Sequence, residues 1–288
     1  MARLDVVLVE KGMAKSRSKA LSLIKGGQVF VCGKCVLKAG YEVDESELEG
    51  IEIRGEINPY VSRGGLKLEK AIKTFGLDFS GKVVIDIGSS SGGFTDCALN
   101  FGAVKVYAID VGKGQFDEGL KGDKRIVLYE ETDFREIDKA LIDDASVAVA
   151  DVSFISLKKL IDKLSTLNNL TDLIFLIKPQ FECGAEIAKK FKGVIKDKDV
   201  HYKILMDVLP SFFNADFPCV NLTYSPIKGG DGNIEYIAHF VNAKKLNGAK
   251  NDGDRGLVLG QDFNATVKFM GIYSNLENII SSAFNELN

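Results

Sequence analysis

The sequence predicts an α/β protein in which a Rossmann-like domain, a seven-stranded mixed sheet with helices on both faces, follows a small N-terminal α+β module. Three features predict it. Short apolar runs at 82–87, 104–110, 125–128, 147–151 and 173–177 are separated by helix-length segments, the pattern of parallel strands covered on both faces. Two further runs, 220–224 and 234–240, follow one another with only residues 225–233 between them, which makes a final antiparallel pair. Residues 1–40 carry a net charge of +6 and residues 41–56 a net charge of −6, a reversal that marks a separate module with a polarised surface.

In that module Leu4, Val7, Leu8 and Lys11 fall at helical spacing, and Ser16 is placed to cap a second helix that runs to Lys25 and stops at Gly26-Gly27. Gln28-Val29-Phe30-Val31 alternates like a strand, Cys32-Gly33-Lys34 makes a tight turn, and Cys35-Val36-Leu37 returns as its partner. The basic residues concentrate on the helices. Arg3-Leu4-Asp5, Ser16-Arg17, Gly27-Gln28-Val29-Phe30-Val31 and Gly33, in that order, resemble the S4 RNA-binding domain over about residues 2–50. The alternative is an ordinary solvated basic helix face. The resemblance implies RNA contacts by Arg3, Lys11, Lys15, Arg17 and Lys19, joined by Arg63 at the start of the next domain. Asn58-Pro59-Tyr60 reads as an extended connector, so the expected division is 1–60, 61–243 and an amphipathic helical appendage over 244–288.

Composition narrows the class. Of 288 residues, 45% are apolar and 27% charged, and the net charge of −3 averages over unlike regions. No apolar stretch approaches the roughly 18 residues of a membrane span, and charges interrupt the N-terminal run, so neither membrane insertion nor a signal peptide is expected. Five cysteines, an odd number, fit reduced thiols in a cytoplasmic protein. Two histidines exclude a multi-histidine metal site. Cys32-x-x-Cys35 spans a hairpin turn and has no second pair at zinc-knuckle spacing, so no metal is expected.

The first strand of the larger domain ends in Asp86-Ile87-Gly88-Ser89-Ser90-Ser91-Gly92-Gly93-Phe94-Thr95 and a helix follows. Small residues there let the backbone pass close to a ligand at the carboxyl edge of the sheet. The spacing is neither that of a dinucleotide loop nor that of a P-loop. Asp110, followed by Val111, closes the second strand 22 positions after Gly88, where a carboxylate accepts from a ribose diol. Asp133, followed by Phe134, sits after the third strand, where a carboxylate meets an adenine amine. The series points to S-adenosylmethionine, and the antiparallel final pair to the methyltransferase variant of the fold.

The methyl of that cofactor is already activated, so the protein must align an acceptor and raise its nucleophilicity. Lys67 borders the apolar face of a helix formed by Leu68, Ala71, Ile72 and Phe75, whereas Lys70 and Lys73 are expected to point away. Asp151 ends the fourth strand, Lys178 ends the fifth, and Glu235 interrupts the last. Two lysines and two carboxylates gathered on one sheet edge are expensive to bury without purpose.

Asp-Ile-Gly-x-Ser-x-Gly-Gly-Phe-Thr, Asp-Val-Ser-Phe-Ile-Ser at 151–156, Leu-Ile-Lys-Pro-Gln-Phe-Glu at 176–182 and Ser-Arg-Gly-Gly-x-Lys-Leu at 62–68 resemble the TlyA family, also called hemolysin A, over about residues 2–243. The resemblance implies an S4 domain joined to an FtsJ-type S-adenosylmethionine methyltransferase that modifies the cytidine ribose 2'-hydroxyl of ribosomal RNA. It places a catalytic tetrad on Lys67, Asp151, Lys178 and Glu235. Lys178 would activate the hydroxyl, Lys67 and Glu235 would position it and tune that lysine, and Asp151 would orient the lysine near the methyl donor. Asp86, Gly88, Ser89, Ser91, Gly92, Gly93, Phe94, Asp110, Val111, Asp133, Phe134 and Asp151 are the expected cofactor residues. The expected partners are ribosomal RNA or ribosomal subunits, without membrane or metal, and the oligomeric state is left open. Two other classes stay in view: a cytolysin, from the family's second name, and a noncatalytic RNA-binding protein that keeps the fold.

Overall fold

The computed structural model describes residues 2–14, 17–25, 27–54, 58–248 and 263–287. Lys15 and Ser16 lie outside them. The N-terminal module consists of β1 (Ala2–Arg3), α1 (Leu4–Glu10), α2 (Arg17–Lys25), β2 (Val29–Val31), β3 (Lys34–Cys35), β4 (Glu42–Val43) and β5 (Ile51–Ile53). Leu4, Val7 and Leu8 of α1 pack on Ala20, Leu23 and Ile24 of α2 and on Val29 and Val31, closing a core of its own. Cys32 and Gly33 have φ of 47° and 78°, the pair of positive values that a two-residue hairpin turn requires, and Val31 pairs with Lys34 across it.

The acidic stretch contributes more than a surface. β5 pairs with β2 to complete a three-stranded sheet, and β4 pairs with β1. Strands of two and three residues are too short for their alternation to be read from sequence.

After the connector come α3 (Gly64–Phe75), β6 (Val83–Ile87), α4 (Gly93–Asn100), β7 (Lys105–Ile109), α5 (Glu118–Lys121), β8 (Ile126–Tyr129), β9 (Val147–Ala150) and α6 (Ile161–Thr166). Then follow β10 (Asp172–Ile177), α7 (Pro179–Glu182), α8 (Ala185–Lys190), α9 (Lys198–Phe213), β11 (Cys219–Tyr224), β12 (Tyr236–Val241), α10 (Ala243–Gly248) and α11 (Phe263–Leu287). The seven strands lie in the order β11-β12-β10-β9-β6-β7-β8, with β12 antiparallel to both its neighbours.

Strand alternation sorts the core into two layers. Val84, Val106, Val149 and Leu176 face Leu68, Ala71 and Ile72 of α3 and Cys97 and Ala98 of α4. Ile85, Tyr107, Ala148 and Phe175 face the opposite layer with Leu164, Leu205, Leu209 and Phe212. Phe212 is fully buried and stacks on Phe240 at 4.3 Å, so Phe212→Ala would cost about 3–5 kcal/mol. Because the chain runs outward from β6 to β8 and then crosses back to β9 on the other side of β6, the loops after β6 and β9 diverge and open a crevice at the carboxyl edge.

The segment expected as an appendage is built into this domain. Ile272, Leu276, Ile280 and Ala283 of α11 are all buried and join the layer that holds Leu209 of α9 and Leu222 of β11. The sequence displays the apolar stripe but not the sheet face that receives it.

Candidate active site

At the crevice two lysines and two carboxylates alternate in an unbroken chain. Glu235 Oε2 accepts from Lys67 Nζ at 2.7 Å, Lys67 Nζ reaches Asp151 Oδ2 at 3.3 Å, and Asp151 Oδ1 meets Lys178 Nζ at 2.6 Å. Each is delivered by a different element. Lys67 lies in the first turn of α3, with Leu68 of the same helix buried against the sheet. Asp151 and Lys178 follow the last residues of β9 and β10, and Glu235 immediately precedes β12. Gly229 makes room for the Glu235 carboxylate, since a Cβ there would collide with Oε1.

Burial alone would drive the Lys67 ammonium toward neutrality, yet Asp151 and Glu235 outweigh it and raise its pKa. Burial also opposes ionisation of Asp151, and the two lysines overcome it and hold that carboxyl below its usual range. Lys178 has a second partner, Ser153 Oγ, at 3.0 Å.

The tetrad lines a cavity of about 310 Å³ together with Arg63, Ser89 and Lys228. A neighbouring cavity of about 510 Å³ runs past Asp110, Val111, Asp133, Phe134 and Leu160. Gly88, Ser90, Asp151 and Ser153 border both. Gly88 has φ of 77°, and a Cβ on it would press on Val152 Cα at 3.2 Å and Asp151 O at 3.3 Å, so only glycine lets the loops after β6 and β9 approach this closely.

The second cavity has the donors and walls that an adenosyl group needs. Each oxygen of Asp110 accepts one backbone amide, from Ser90 and Gly112, both at 2.7 Å, which fixes the carboxylate and leaves lone pairs for a diol. Asp133 lines the cavity with its carboxylate gripped by the Arg135 guanidinium, which holds its pKa low. Phe134, Val152, Ile155 and Leu160 supply apolar surface. Toward the tetrad, the buried Ser89 Oγ has no partner among the described residues and lines the first cavity.

Of the expected cofactor residues, Gly88, Ser89, Ser91, Gly93, Phe94, Asp110, Val111, Asp133, Phe134 and Asp151 border one cavity or the other. Asp86 and Gly92 do not. Asp86 is fully buried beneath the loop, where Thr95 Oγ1 donates to Oδ2 at 2.6 Å and Oδ1 has no partner among the described residues; burial pushes its pKa up to about 7. It shapes the loop from below. Gly92 has φ of 88° and packs beside Phe116 and Leu120.

Four of the residues expected to contact RNA are already engaged within the chain. Arg3 and Arg17 both bind the buried carboxylate of Asp5, at 3.0 and 2.9 Å. Lys11 donates to Leu48 O at 2.8 Å. Lys19 donates to Asn58 O and Tyr60 O, which ties α2 to the connector. The expected phosphate contact by Lys19 thus competes with a structural role. Lys70, expected to point away from the core, stacks over the ring of Tyr224 at 3.8 Å.

Sequence reasoning missed Ser153 and Phe154. Phe154 is 90% exposed with φ of 63°, and its ring stands 5.0 Å from Phe181, beside Lys178. An exposed phenylalanine in a left-handed conformation is invisible in a sequence, where Phe154 reads as one more apolar residue.

Among the described residues no helix is long and apolar enough to cross a membrane. The S4 domain family matches residues 2–48 and the FtsJ-like methyltransferase family residues 60–241. Hemolysin A of Brachyspira hyodysenteriae is 44% identical over 242 residues, 83% of this chain and 99% of that one. The 23S rRNA (cytidine-2'-O)-methyltransferase TlyA of Campylobacter jejuni is 35% identical over 250 residues, 81% of this chain and 97% of that one. A solved structure described as a candidate hemolysin of Streptococcus thermophilus matches at a TM-score of 0.70 and 31% identity, covering 99% of this chain and 96% of that one. With both domains matched in order and these relatives aligned over most of their length, the chain belongs to the hemolysin A/TlyA family, in which an S4 domain precedes an FtsJ-like methyltransferase domain.

Proposed function

We propose that this protein transfers a methyl group from S-adenosylmethionine to the ribose 2'-hydroxyl of a cytidine in ribosomal RNA. The observation that carries the reading is the alternating chain Glu235-Lys67-Asp151-Lys178, set where a cofactor-shaped cavity meets an open one lined by Arg63 and Lys228. S-adenosylmethionine supplies a methyl on a positively charged sulfur; Asp110 would hold its ribose, Asp133 its adenine, and Ser89 its amino-acid end.

The remaining work falls to the chain's own side chains. A ribose hydroxyl is far too weak an acid to ionise at neutral pH, so it needs a positioned acceptor for its proton. Lys178 ends the chain of four and would fill that role once its amine has shed its own proton to solvent: the neutral Nζ would take the hydroxyl proton as the oxygen–carbon bond forms and the carbon–sulfur bond breaks. Asp151, shared by both lysines, aims that Nζ. Lys67 and Glu235, locked together at 2.7 Å, position the acceptor. Phe154, exposed beside Phe181, offers a face on which a base can stack.

Mapping 2'-O-methyl sites in ribosomal RNA from cells with and without this protein tests the reading. A cytidine that loses its methyl in the deletion and regains it with purified protein and cofactor is expected; an unchanged map rejects the proposal.

A further inference from the structure

The catalytic pair Lys67–Glu235 sits beside the β11–β12 edge of the sheet, and the last turn of α11 meets that edge at two points. At one, the Phe284 ring packs edge-on against His201 at 5.0 Å. His201 is fully buried, and its Nε2 faces the Ile195 carbonyl at 3.0 Å, so that nitrogen carries the proton and Nδ1 accepts from the Tyr236 hydroxyl at 2.7 Å. Tyr236 follows Glu235 directly, and strand alternation turns the two side chains to opposite faces. Tyr236 anchored in the α11 layer therefore aims Glu235 at Lys67.

At the other, Glu286 stands close enough to the Tyr224 hydroxyl to raise its pKa, and Tyr224 carries the Lys70 ammonium on its ring at 3.8 Å. Lys70 lies one turn beyond Lys67 on α3. Tyr224 and Tyr236 are directly opposite in the β11–β12 ladder, and the amide of Ser225 holds the Glu235 carbonyl at 2.8 Å. Phe284 and Glu286 thus bracket the elements that supply Lys67 and Glu235.

We propose that the last turn of α11 is a positioning device for the reaction: Phe284, through His201 and Tyr236, and Glu286, through Tyr224 and Lys70, set the Lys67–Glu235 pair. The proposal rests on the methyltransferase reading above. It gives the C-terminal helix a task that the FtsJ-like match, ending at residue 241, leaves out.

The test compares the full chain with Phe284→Ala/Glu286→Ala and with Glu286→Gln, which keeps an acceptor for Tyr224. The double variant is expected to lose about tenfold in kcat, since small displacements at a reacting centre are felt strongly, while the Kd for S-adenosylmethionine stays within about twofold. Glu286→Gln retains wild-type kcat. A second readout needs no turnover: the ammonium ¹⁵N resonance of Lys67, assigned by its loss in Lys67→Arg, is sharp in the parent and broadened in the double variant. An unchanged kcat and an unchanged Lys67 resonance in a folded double variant overturn the proposal, as does a loss of activity matched by an equal loss of cofactor affinity. Should the parent itself transfer no methyl, the proposed function fails, and the Lys67 resonance still decides the clamp.

Discussion

Two clusters in this molecule share one plan, a carboxylate between two cations, and differ in where the cations end. In the catalytic domain Asp151 joins Lys67 and Lys178, whose side chains are only 9% exposed. In the N-terminal module Asp5 joins Arg3 and Arg17, which are 53% and 62% exposed. The first arrangement is desolvated, so each charge depends on its neighbour and the geometry is fixed. The second holds Arg3 by two nitrogens and Arg17 by one and leaves the rest of each guanidinium in water, ready for another anion. One is built to hold atoms in place, the other to present charge. A third carboxylate, the fully buried Asp86, completes the contrast by having no cationic partner among the described residues.

The largest effect is expected at the buried cluster. Lys178→Ala should lower kcat by about 10²–10⁴-fold, the usual reach of a positioned proton acceptor, and leave cofactor affinity nearly unchanged by calorimetry. Retained activity would break the mechanism. Next comes the dependence of one buried charge on another. Lys67→Met strands Glu235 and should destabilise by about 3–5 kcal/mol in denaturant titration, whereas adding Glu235→Leu should restore much of it. Additive losses would show that the pair is solvated.

The exposed cluster should respond in affinity instead. Arg3→Gln/Arg17→Gln is expected to weaken RNA binding and flatten the dependence of log K on log salt by roughly 0.7–0.9 for each phosphate no longer neutralised, with no change in cofactor affinity. An unaltered slope would place the RNA elsewhere.

The paired and unpaired carboxylates have opposite pH signatures. Arg3, with Arg17, holds Asp5 down to about 2, so its contribution is full above the unfolded value and is lost as the pH falls through about 2. Burial raises Asp86 to about 7 from 3.8, so its neutral form contributes below the unfolded value and that contribution is lost as the pH rises through about 7. Asp86→Asn should therefore gain stability relative to the parent as the pH climbs across that window, with cofactor affinity retained because Asp86 borders neither cavity. A constant gap in melting temperature would mean that Asp86 is already ionised. The smallest change is Asp5→Asn, which releases two exposed cations at a cost of ~1 kcal/mol, read by thermal melting of the full chain.

Much of this was legible in the chain. Runs of β-branched and aliphatic residues announced all seven strands of the large sheet, since a strand buried on both faces must be apolar throughout. The four tetrad residues stood out because each interrupts or borders such a run: Glu235 among Ile234, Tyr236 and Ile237, and Lys178 after Leu176-Ile177. What could not be read was partnership. Arg3 and Lys19 look alike as basic residues on a helical module, yet one flanks Asp5 at the surface and the other binds the Asn58 and Tyr60 carbonyls.

By itself, then, the sequence determined the order of elements, the apolar faces and the chemical types gathered at the carboxyl edge, because periodicity and charge are local properties of a chain. Only the tertiary structure decided that Asp151 would be shared by two lysines, that Asp86 would lie beneath the loop after β6, and that the apolar stripe of α11 would close the core. Those are contacts between residues up to 168 positions apart, as between Lys67 and Glu235, and no local pattern encodes which distant partner completes them.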